Sequence, residues 1–262
     1  MPTPICLTIA GSDPSGGAGI QGDLKTFSAL GAYGMAVPTA ITVQNSQGVH
    51  YMEPLSGKLV AQQIQALLED AHIEAIKLGM LATGDVASAV AQTLSLSKIP
   101  LVIDPIVRSS SGAPLLDKEG IKALIAELLP QCTIVTPNVA EAEILLGHPI
   151  RTIDEIEAAG QELISLGARA VLITGGDFGA ERAEVTDVLC IGGKPIRLVS
   201  RRIQSRNTHG TGCALTAALC VGLAQGMTVR QAVDFAGDFV RKCLQAPLEV
   251  GKGIWPVNHL RY

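Results

Sequence analysis

The run from Asn207 to Cys213, which reads Asn-Thr-His-Gly-Thr-Gly-Cys, is the part of the chain best suited to chemistry. It stands directly before an apolar, helix-like stretch from Ala214 to Ala224. A glycine-rich turn at a helix start directs backbone N–H groups and the positive helix end at one spot, which favours a bound anion such as a phosphate. Cys213 falls in the first helical turn, where the same field favours a thiolate. An anion cradle beside an ionisable group suits phosphoryl transfer; the alternative is a simple turn followed by a packed cysteine.

The composition is that of a globular chain without a polyanionic partner. The chain has 262 residues, of which 47% are hydrophobic and only 3% aromatic, and its net charge is −4. This acidic balance argues against a nucleic-acid or a membrane-surface partner, and no apolar run is long enough to span a membrane. The start, Met1 to Pro4, lacks the basic region of a signal peptide. Six cysteines without a C-x-x-C pair predict reduced thiols in a cytoplasmic protein.

Strand-like and helix-like segments alternate along the chain, which predicts a mostly parallel central sheet with helices on both faces. The predicted strands are 5–10, 35–43, 75–78, 101–104, 133–136, 170–174, 185–191 and 196–199. The predicted helices are 19–30, 56–71, 86–96, 117–129, 139–146, 153–166, 213–224 and 229–244. No Ser/Gly linker or internal repeat interrupts this α/β pattern, so we expect one domain over residues 1–262.

Seven loops rich in glycine and polar residues are expected at one edge of this sheet. Ligands of open α/β sheets bind beyond the carboxyl ends of the strands. The loops that follow those ends are 11–18, 44–48, 79–80, 104–112, 136–141, 174–179 and 207–213. Their convergence predicts one composite site, and it is a stronger indication than any single motif.

Three familiar cofactor sites are disfavoured. Gly17 to Gly22 matches the letters of G-x-G-x-x-G, but its glycines come several residues after the strand. No acidic residue lies between Leu24 and Met52, where a dinucleotide site needs its ribose ligand. The sequence also lacks G-x-x-x-x-G-K-[ST], which excludes a P-loop. His209 is expected to be a loop residue, because no second His or Cys with zinc spacing accompanies it.

Several polar residues of the expected rim have both a structural and a functional interpretation. Asn138 and Glu141 stand three apart at a helix start, so Glu141 either closes a capping box or holds a water on Mg²⁺. Asp104 ends a buried strand, where its carboxylate either accepts loop N–H groups or faces a metal and phosphate. Asp23 is expected to face the rim from the first helix, or to be an ordinary exposed charge. Gln44 ends a strand, where its amide either reads a heterocycle edge or forms a turn.

Assembled, these motifs resemble the hydroxymethylpyrimidine/phosphomethylpyrimidine kinases of thiamine biosynthesis, members of the ribokinase-like superfamily that are close to the pyridoxal kinases. The resemblance runs the full length of the chain. The segments that carry it are 7–21, 23–27, 43–45, 77–81, 104–105, 136–138, 207–213 and 255–260. It implies a ribokinase-like fold, a homodimer, and phosphorylation of 4-amino-5-hydroxymethyl-2-methylpyrimidine and then of its monophosphate by ATP with Mg²⁺.

The same resemblance implies roles for individual residues. Cys213 takes the position of the base that removes the hydroxyl proton, where many ribokinase relatives have Asp. The residues implied for the anion hole are Gly210, Thr211 and Gly212. Those implied for the pyrimidine pocket are Gly11, Ala18, Asp23, Gln44, Met80 and Ile106. Those implied for ATP are Asn138, Thr174, Thr208 and Arg108, and those implied for magnesium are Asp104 and Glu141.

The sequence departs from the family pattern at two loops. Thr174-Gly175-Gly176-Asp177 stands where the family usually has Lys-Gly-Gly-His, and 109–112 reads Ser-Ser-Ser-Gly, with Ser110 in place of the usual lysine. Fewer cations predict weaker stabilisation of the transferring phosphoryl group, above all in the second phosphorylation, unless Arg108 supplies the missing charge. A pyridoxal kinase is the near alternative, and a catalytically weak pyrimidine-binding protein is the alternative from another class.

Overall fold

The computed structural model describes residues 3–109, 112–179 and 181–260, and these form one continuous sheet flanked by helices. The strands are β1 (Ile5–Ser12), β2 (Tyr33–Asn45), β3 (Gly48–Pro54), β4 (Ala75–Leu78), β5 (Leu101–Ile103), β6 (Ile134–Val135), β7 (Ala170–Ile173), β8 (Glu184–Ile191) and β9 (Ile196–Arg201). The helices are α1 (Gly19–Ala29), α2 (Gly57–Asp70), α3 (Gly84–Leu94), α4 (Lys118–Ala123), α5 (Val139–Leu146), α6 (Ile153–Ser165), α7 (Thr211–Ala224) and α8 (Val229–Gln245). The predicted α/β alternation is confirmed.

The sheet has the order β3-β2-β1-β4-β5-β6-β7-β8-β9. The six strands from β2 to β7 in that order pair in parallel, whereas β3, β8 and β9 are antiparallel additions at the two edges. The chain reverses its winding direction between β1 and β4, so the loops after these two strands diverge and leave a crevice at the carboxyl edge. The predicted mostly parallel sheet is therefore confirmed, and its geometry favours a ligand site beside β1 and β4.

Helices cover both faces of the sheet, as predicted. One apolar core lies beneath α2, α3, α5 and α6, and includes Ile64, Val90 and Leu163. The other lies beneath α1, α7 and α8, and includes Phe27, Leu219 and Phe239. Helix α7 is apolar on all sides and ten of its fourteen residues are buried, which fixes its N-terminus firmly at the carboxyl edge of the sheet.

Two elements differ from the sequence prediction. Strand β3 was not predicted, because it pairs at the edge of the sheet and most of its side chains are only partly covered, so its sequence lacks an apolar pattern. The helix predicted over 117–129 is regular only as α4; a π-helical turn over Leu124–Leu128 and a 3₁₀ turn over Leu129–Gln131 continue it. No helix in the described part of the chain is both long and apolar enough to cross a membrane.

Candidate active site

The N-terminus of α7 has the backbone geometry expected of an anion cradle. Gly210 precedes the helix with φ of 82°, in the left-handed region that favours glycine. The backbone N–H and the hydroxyl of Thr211 both donate to the carbonyl of Thr208, at 3.2 and 2.7 Å. The N–H groups of Gly212 and Cys213 belong to the first helical turn, which offers them no acceptor within the helix. This geometry suits an anion at the positive end of the α7 dipole.

Two buried carboxyl groups, Asp104 after β5 and Glu141 in the first turn of α5, influence each other beside this cradle. A Cβ on Gly212 would lie 3.8 Å from Asp104 Oδ2, and the Thr216 hydroxyl donates to the same oxygen at 3.3 Å. Burial and the Asp104 charge raise the pKa of Glu141 to about 8. Burial raises the pKa of Asp104 to about 6, although the charge of Lys77 opposes the shift. A divalent cation bound by both carboxyl groups would reduce the repulsion between their negative charges.

The capping interpretation of Glu141 is confirmed. The N–H of Glu141 donates to Asn138 Oδ1 at 2.8 Å, and Glu141 Oε2 accepts from the N–H of Asn138 at 2.9 Å. This capping box holds the carboxyl group in place at the rim. It uses one carboxylate oxygen, so the geometry does not decide against the second interpretation, a water on Mg²⁺.

Replacing Glu141 with glutamine should make the metal-free protein more stable at alkaline pH. The folded state raises the pKa of Glu141 from 4.5 to about 8, so its stabilising contribution is present at low pH and is lost as the pH rises through 8. Glutamine keeps the capping box but carries no charge. Urea unfolding from pH 5 to 9 should show a falling stability for wild type and a flatter curve for E141Q, with a difference of about 4 kcal/mol at pH 8.

A matched control exists in α6, whose capping box has Glu155 at the equivalent position with an exposed side chain. The E155Q variant should follow the wild-type pH dependence. If E141Q and E155Q have the same curve, the charge of Glu141 is not destabilising and the proposed conflict with Asp104 is wrong.

The thiol of Cys213 is buried, with 6% exposed, and is protonated at neutral pH. Burial raises the pKa of Cys213 to about 12, and the charges of Asp104 and Asp23 add to the shift. The charge of Lys77 and a hydrogen bond from the N–H of Gly19 oppose the shift without reversing it. The expectation that the helix start favours a thiolate is therefore wrong for this structure, because burial beside two carboxyl groups outweighs the helix field.

The side chain of Asp23 does not face the rim, and it is not an exposed charge. It is fully buried beneath the site, where both its oxygens accept from Lys77 Nζ at 2.9 and 2.8 Å and Oδ2 also accepts from the Thr8 hydroxyl at 2.6 Å. Burial alone would lower the pKa of Lys77, but the charge of Asp23 raises it. Burial raises the pKa of Asp23, and the charge of Lys77 opposes that shift. The sequence placed Asp23 correctly in α1 but missed that Lys77, from β4, reaches it through the core.

Three residues predicted for the pyrimidine pocket, Gly11, Met80 and Ile106, lie near one another at the carboxyl ends of β1, β4 and β5. A Cβ on Gly11 would lie only 2.1 Å from Met80 Cε, so the methionine side chain occupies the space that a larger residue would need. Ile106 packs against the same apolar cluster as Met80. The absence of a side chain at Gly11 therefore leaves the room that the Met80 side chain occupies.

Ala18 lies on the loop before α1, and Gln44 lies near the end of β2. Ala18 precedes α1, and its N–H donates to Asp13 Oδ2 at 2.9 Å. Gln44 stands at an irregularity in the pairing of β2 with β3, and its Oε1 accepts from the Thr42 hydroxyl at 3.2 Å. The same Thr42 hydroxyl also lies 2.8 Å from the carbonyl oxygen of Ser12, the last residue of β1, so the two acceptors share its one hydrogen. These contacts connect the β2–β3 hairpin to the β1 side of the crevice.

The residues predicted for ATP are divided among three places. Asn138 and Thr174 are bridged as backbone neighbours, and the N–H of Thr174 donates to the carbonyl of Pro137 at 2.9 Å. Thr208 is exposed beside the anion cradle. Arg108 is exposed on the turn after β5, where its guanidinium makes a long contact of 3.5 Å with the carbonyl of Gly112. Ser110 lies outside the described residues.

Sequence reasoning missed four polar residues at the site. Lys77 is the one charged residue in the apolar strand β4, a pattern that indicates a buried ion pair. Asp177 adds to the raised pKa of Glu141, after burial and Asp104. Thr216 holds Asp104 from one turn further along α7, and Asp13 contacts His209 at 2.8 Å. The last contact joins residues 196 apart in sequence, so local patterns carry no signal for it.

Comparisons with known proteins agree with one another. A family model described as phosphomethylpyrimidine kinase matches residues 13–258. A hydroxymethylpyrimidine/phosphomethylpyrimidine kinase from Rhizobium meliloti is 44% identical, with 98% of this chain and 97% of the relative covered. The crystal structure of phosphomethylpyrimidine kinase from Clostridium difficile has a TM-score of 0.80 at 39% identity, covering 91% of this chain and 98% of that one. The pyridoxal kinase from Staphylococcus aureus in complex with AMP-PCP and pyridoxal has a TM-score of 0.90 at 32% identity, covering 100% and 95%.

Proposed function

Because the chain belongs to the phosphomethylpyrimidine kinase family, we propose that it transfers the γ-phosphoryl group of ATP to 4-amino-5-hydroxymethyl-2-methylpyrimidine and then to its monophosphate. The product of the second step is the pyrimidine diphosphate used in thiamine synthesis. The fold is ribokinase-like, as the resemblance implied. One continuous sheet supports the proposal that residues 1–262 form a single kinase domain.

The observation that carries the proposal is the position of the α7 N-terminus. Its glycine-rich turn lies against the loop after β1, since a Cβ on Gly210 would lie 1.9 Å from the carbonyl oxygen of Gly17. Gly11, near the end of β1, and Met80, just after β4, lie at the same edge of the sheet. A hydroxymethyl group bound in the crevice would therefore face an anion cradle, which is the arrangement that phosphoryl transfer needs. We propose that Gly210, Thr211 and Gly212 stabilise the transferring phosphoryl group.

Asp104 and Glu141 suit Mg²⁺, which prefers carboxylate and phosphate oxygens and keeps several waters. No group of three or more His, Cys, Asp or Glu residues among those described would hold a metal alone. The two carboxyl groups would therefore hold the ion together with ATP phosphate oxygens and waters. When bound there, Mg²⁺ would offset the charge that develops on the phosphates. Asn138, Thr174, Thr208 and Arg108 are proposed to contact ATP.

We propose that Cys213 receives the hydroxyl proton of the acceptor by relay. The buried thiol lies close enough to Asp104 for each group to affect the pKa of the other. As the acceptor oxygen bonds to phosphorus, its proton would pass to Sγ while the thiol hydrogen passes to the Asp104 carboxylate. No free thiolate is needed, which agrees with the raised pKa of Cys213. A loose transition state also needs little help from a base.

Substitutions of Cys213 distinguish a role in proton relay from a role in packing alone. Serine retains a hydroxyl that can accept and donate, so C213S should keep kcat within about 10-fold of wild type. Alanine cannot relay a proton, so C213A should lower kcat about 100-fold. Initial rates with purified variants measure both. Equal rates for C213A and wild type would contradict the proposed role, and the similar size of the three side chains limits any packing effect.

The direct test of the proposed function is ADP release with Mg-ATP and hydroxymethylpyrimidine, with products identified by mass. We expect the monophosphate followed by the diphosphate. The monophosphate alone would show that Thr174 and Ser110 do not replace the usual lysines in the second step. Failure of any transfer, with the pyrimidine still bound, would overturn the kinase proposal in favour of a binding protein.

Pyridoxal phosphorylation is the second candidate activity, favoured by the TM-score of 0.90 with the pyridoxal kinase from Staphylococcus aureus. The two substrates present different ring edges to Gln44. Parallel kcat/KM values with pyridoxal and the pyrimidine decide between them. We expect the pyrimidine to be preferred, and Gln44→Leu should reduce that preference.

We further propose a homodimer in the cytoplasm. Exposed apolar side chains on the β2–β3 edge, including Ile41, Val43 and Tyr51, support an interface between two copies. The six cysteines are free and buried thiols, which suits a reducing compartment. Sedimentation velocity tests the dimer, and charged substitutions at Ile41 and Val43 should shift it toward monomer.

A further inference from the structure

Asp13 and His209 connect the two halves of the proposed active site. His209 Nε2 lies 2.8 Å from Asp13 Oδ2, and the side chains are only 16% and 4% exposed. Asp13 belongs to the loop between β1 and α1, whereas His209 directly precedes the anion cradle of α7. This contact is largely shielded from solvent and joins two loops that carry different parts of the proposed site. It therefore constrains the position of each loop relative to the other.

On the acceptor side, Asp13 organises the loop that leads to Ala18. Asp13 Oδ1 accepts from the N–H and the hydroxyl of Ser15, and Oδ2 accepts from the N–H of Ala18. Burial raises the pKa of Asp13, but the hydrogen bonds from His209 and Ser15 outweigh burial and leave it below its ordinary value. Asp13 is therefore an ionised carboxylate that only accepts, so His209 Nε2 carries the shared hydrogen.

On the phosphate side, the backbone of His209 is held independently of its side chain. Its N–H donates to the carbonyl of Trp255, and its carbonyl accepts from the N–H of Val257, both at 3.0 Å. The imidazole is packed over Gly17, where a Cβ would lie 2.4 Å from His209 Cδ2. The loop thus has its own support from the C-terminal segment, and the imidazole is left to contact the acceptor-side loop.

We propose that the Asp13–His209 contact is a clasp that fixes the spacing between the acceptor pocket and the anion cradle, which makes His209 a positioning residue for phosphoryl transfer. This inference rests on the proposed role of Gly210 to Gly212. Transfer requires the hydroxyl oxygen and phosphorus to approach within about 3.5 Å in line, and an error near 1 Å costs about 100-fold in rate. Each substrate, in contrast, is bound mainly by one side of the clasp. Loss of the clasp therefore affects transfer more than binding.

The test compares His209→Leu and His209→Gln with wild type. H209L removes the shared hydrogen, and we expect kcat to fall about 100-fold while the Kd values for the pyrimidine and for AMP-PCP, each measured alone, change less than 3-fold. Glutamine places an N–H near the position of Nε2, so H209Q should recover kcat to within about 10-fold of wild type. His148→Leu is the matched control, because His148 Nε2 lies 2.9 Å from Glu162 Oε2 on the exposed surface, and its kcat should be unchanged.

Several results would overturn the clasp. These are a kcat for H209L within 3-fold of wild type, a parallel loss of both binding affinities, or no recovery in H209Q. If H209L does not fold, Asp13→Asn in the H209Q background replaces it, and independent additive effects of D13N and H209Q would contradict a shared contact. A wild-type protein without transfer activity would contradict the proposed function instead, so the two failures are distinguishable.

Discussion

Replacing Asp104 with asparagine is expected to lower kcat for pyrimidine phosphorylation about 1,000-fold. Asp104 leaves the sheet at the end of β5, lies beside the α7 cradle and is 5% exposed. Asparagine has nearly the same shape and still accepts from the Thr216 hydroxyl, so the fold should be retained. It loses the negative charge that would hold Mg²⁺ and the acceptor of the proposed relay from Cys213. Both losses act on the transition state, since charge develops there on the phosphoryl oxygens.

Initial rates at several Mg²⁺ concentrations measure this effect. The apparent Mg²⁺ requirement of D104N should rise, because one of the two carboxylates proposed to hold Mg²⁺ is gone. Glu74→Gln is the control: Glu74 is a partly buried carboxyl at the opposite end of the sheet, where it accepts from the N–H of Ile5 at 2.6 Å. A kcat of D104N within 10-fold of wild type would contradict the proposed roles of Asp104 in Mg²⁺ binding and in the proton relay.

Replacing Gly210 with alanine is expected to lower the rate of transfer about 1,000-fold and to destabilise the fold. A left-handed residue with a Cβ costs about 1 kcal/mol by itself. At Gly210 the new Cβ would also lie 1.9 Å from the carbonyl oxygen of Gly17 and 2.8 Å from its carbonyl carbon. Backbone cannot rotate away as a side chain can, so the cradle must move relative to the acceptor loop. A displacement near 1 Å, combined with misdirected N–H donors, should lower kcat about 1,000-fold.

Gly226, which follows α7, is a control that has the backbone strain of Gly210 without its steric clash. Its φ of 80° nearly equals the 82° of Gly210, but an added Cβ would meet no atom within 4 Å. G226A should therefore lose about 1 kcal/mol of stability and keep its kcat. Urea unfolding and initial rates on both variants give the comparison. If G210A and G226A behave alike, the approach of Gly210 to the acceptor loop has no catalytic importance.

Much of the fold follows from local sequence patterns. Helix α5 was predicted over its observed residues, because apolar spacing and the Asn138–Glu141 capping box are both local signals. The parallel sheet followed from the alternation of strands and helices, and the carboxyl-edge location of the loops followed from that. The edge strand β3 was missed because an edge strand buries little, and without burial a strand has no apolar alternation to reveal it.

The sequence by itself determined the elements, the glycine-rich turn and the chemical types of the site residues, because these depend on neighbours within a few positions. Only the tertiary structure decided their ionisation and alignment. Asp23, in helix α1, forms a buried ion pair because Lys77 reaches it from strand β4. The thiol of Cys213 is protonated because burial beside carboxyl groups outweighs the field of the helix start. The contact of Asp13 with His209 likewise depends on two loops meeting across the sheet edge. Electrostatic energy depends on distance in space and on solvent access, and neither quantity is written in local sequence.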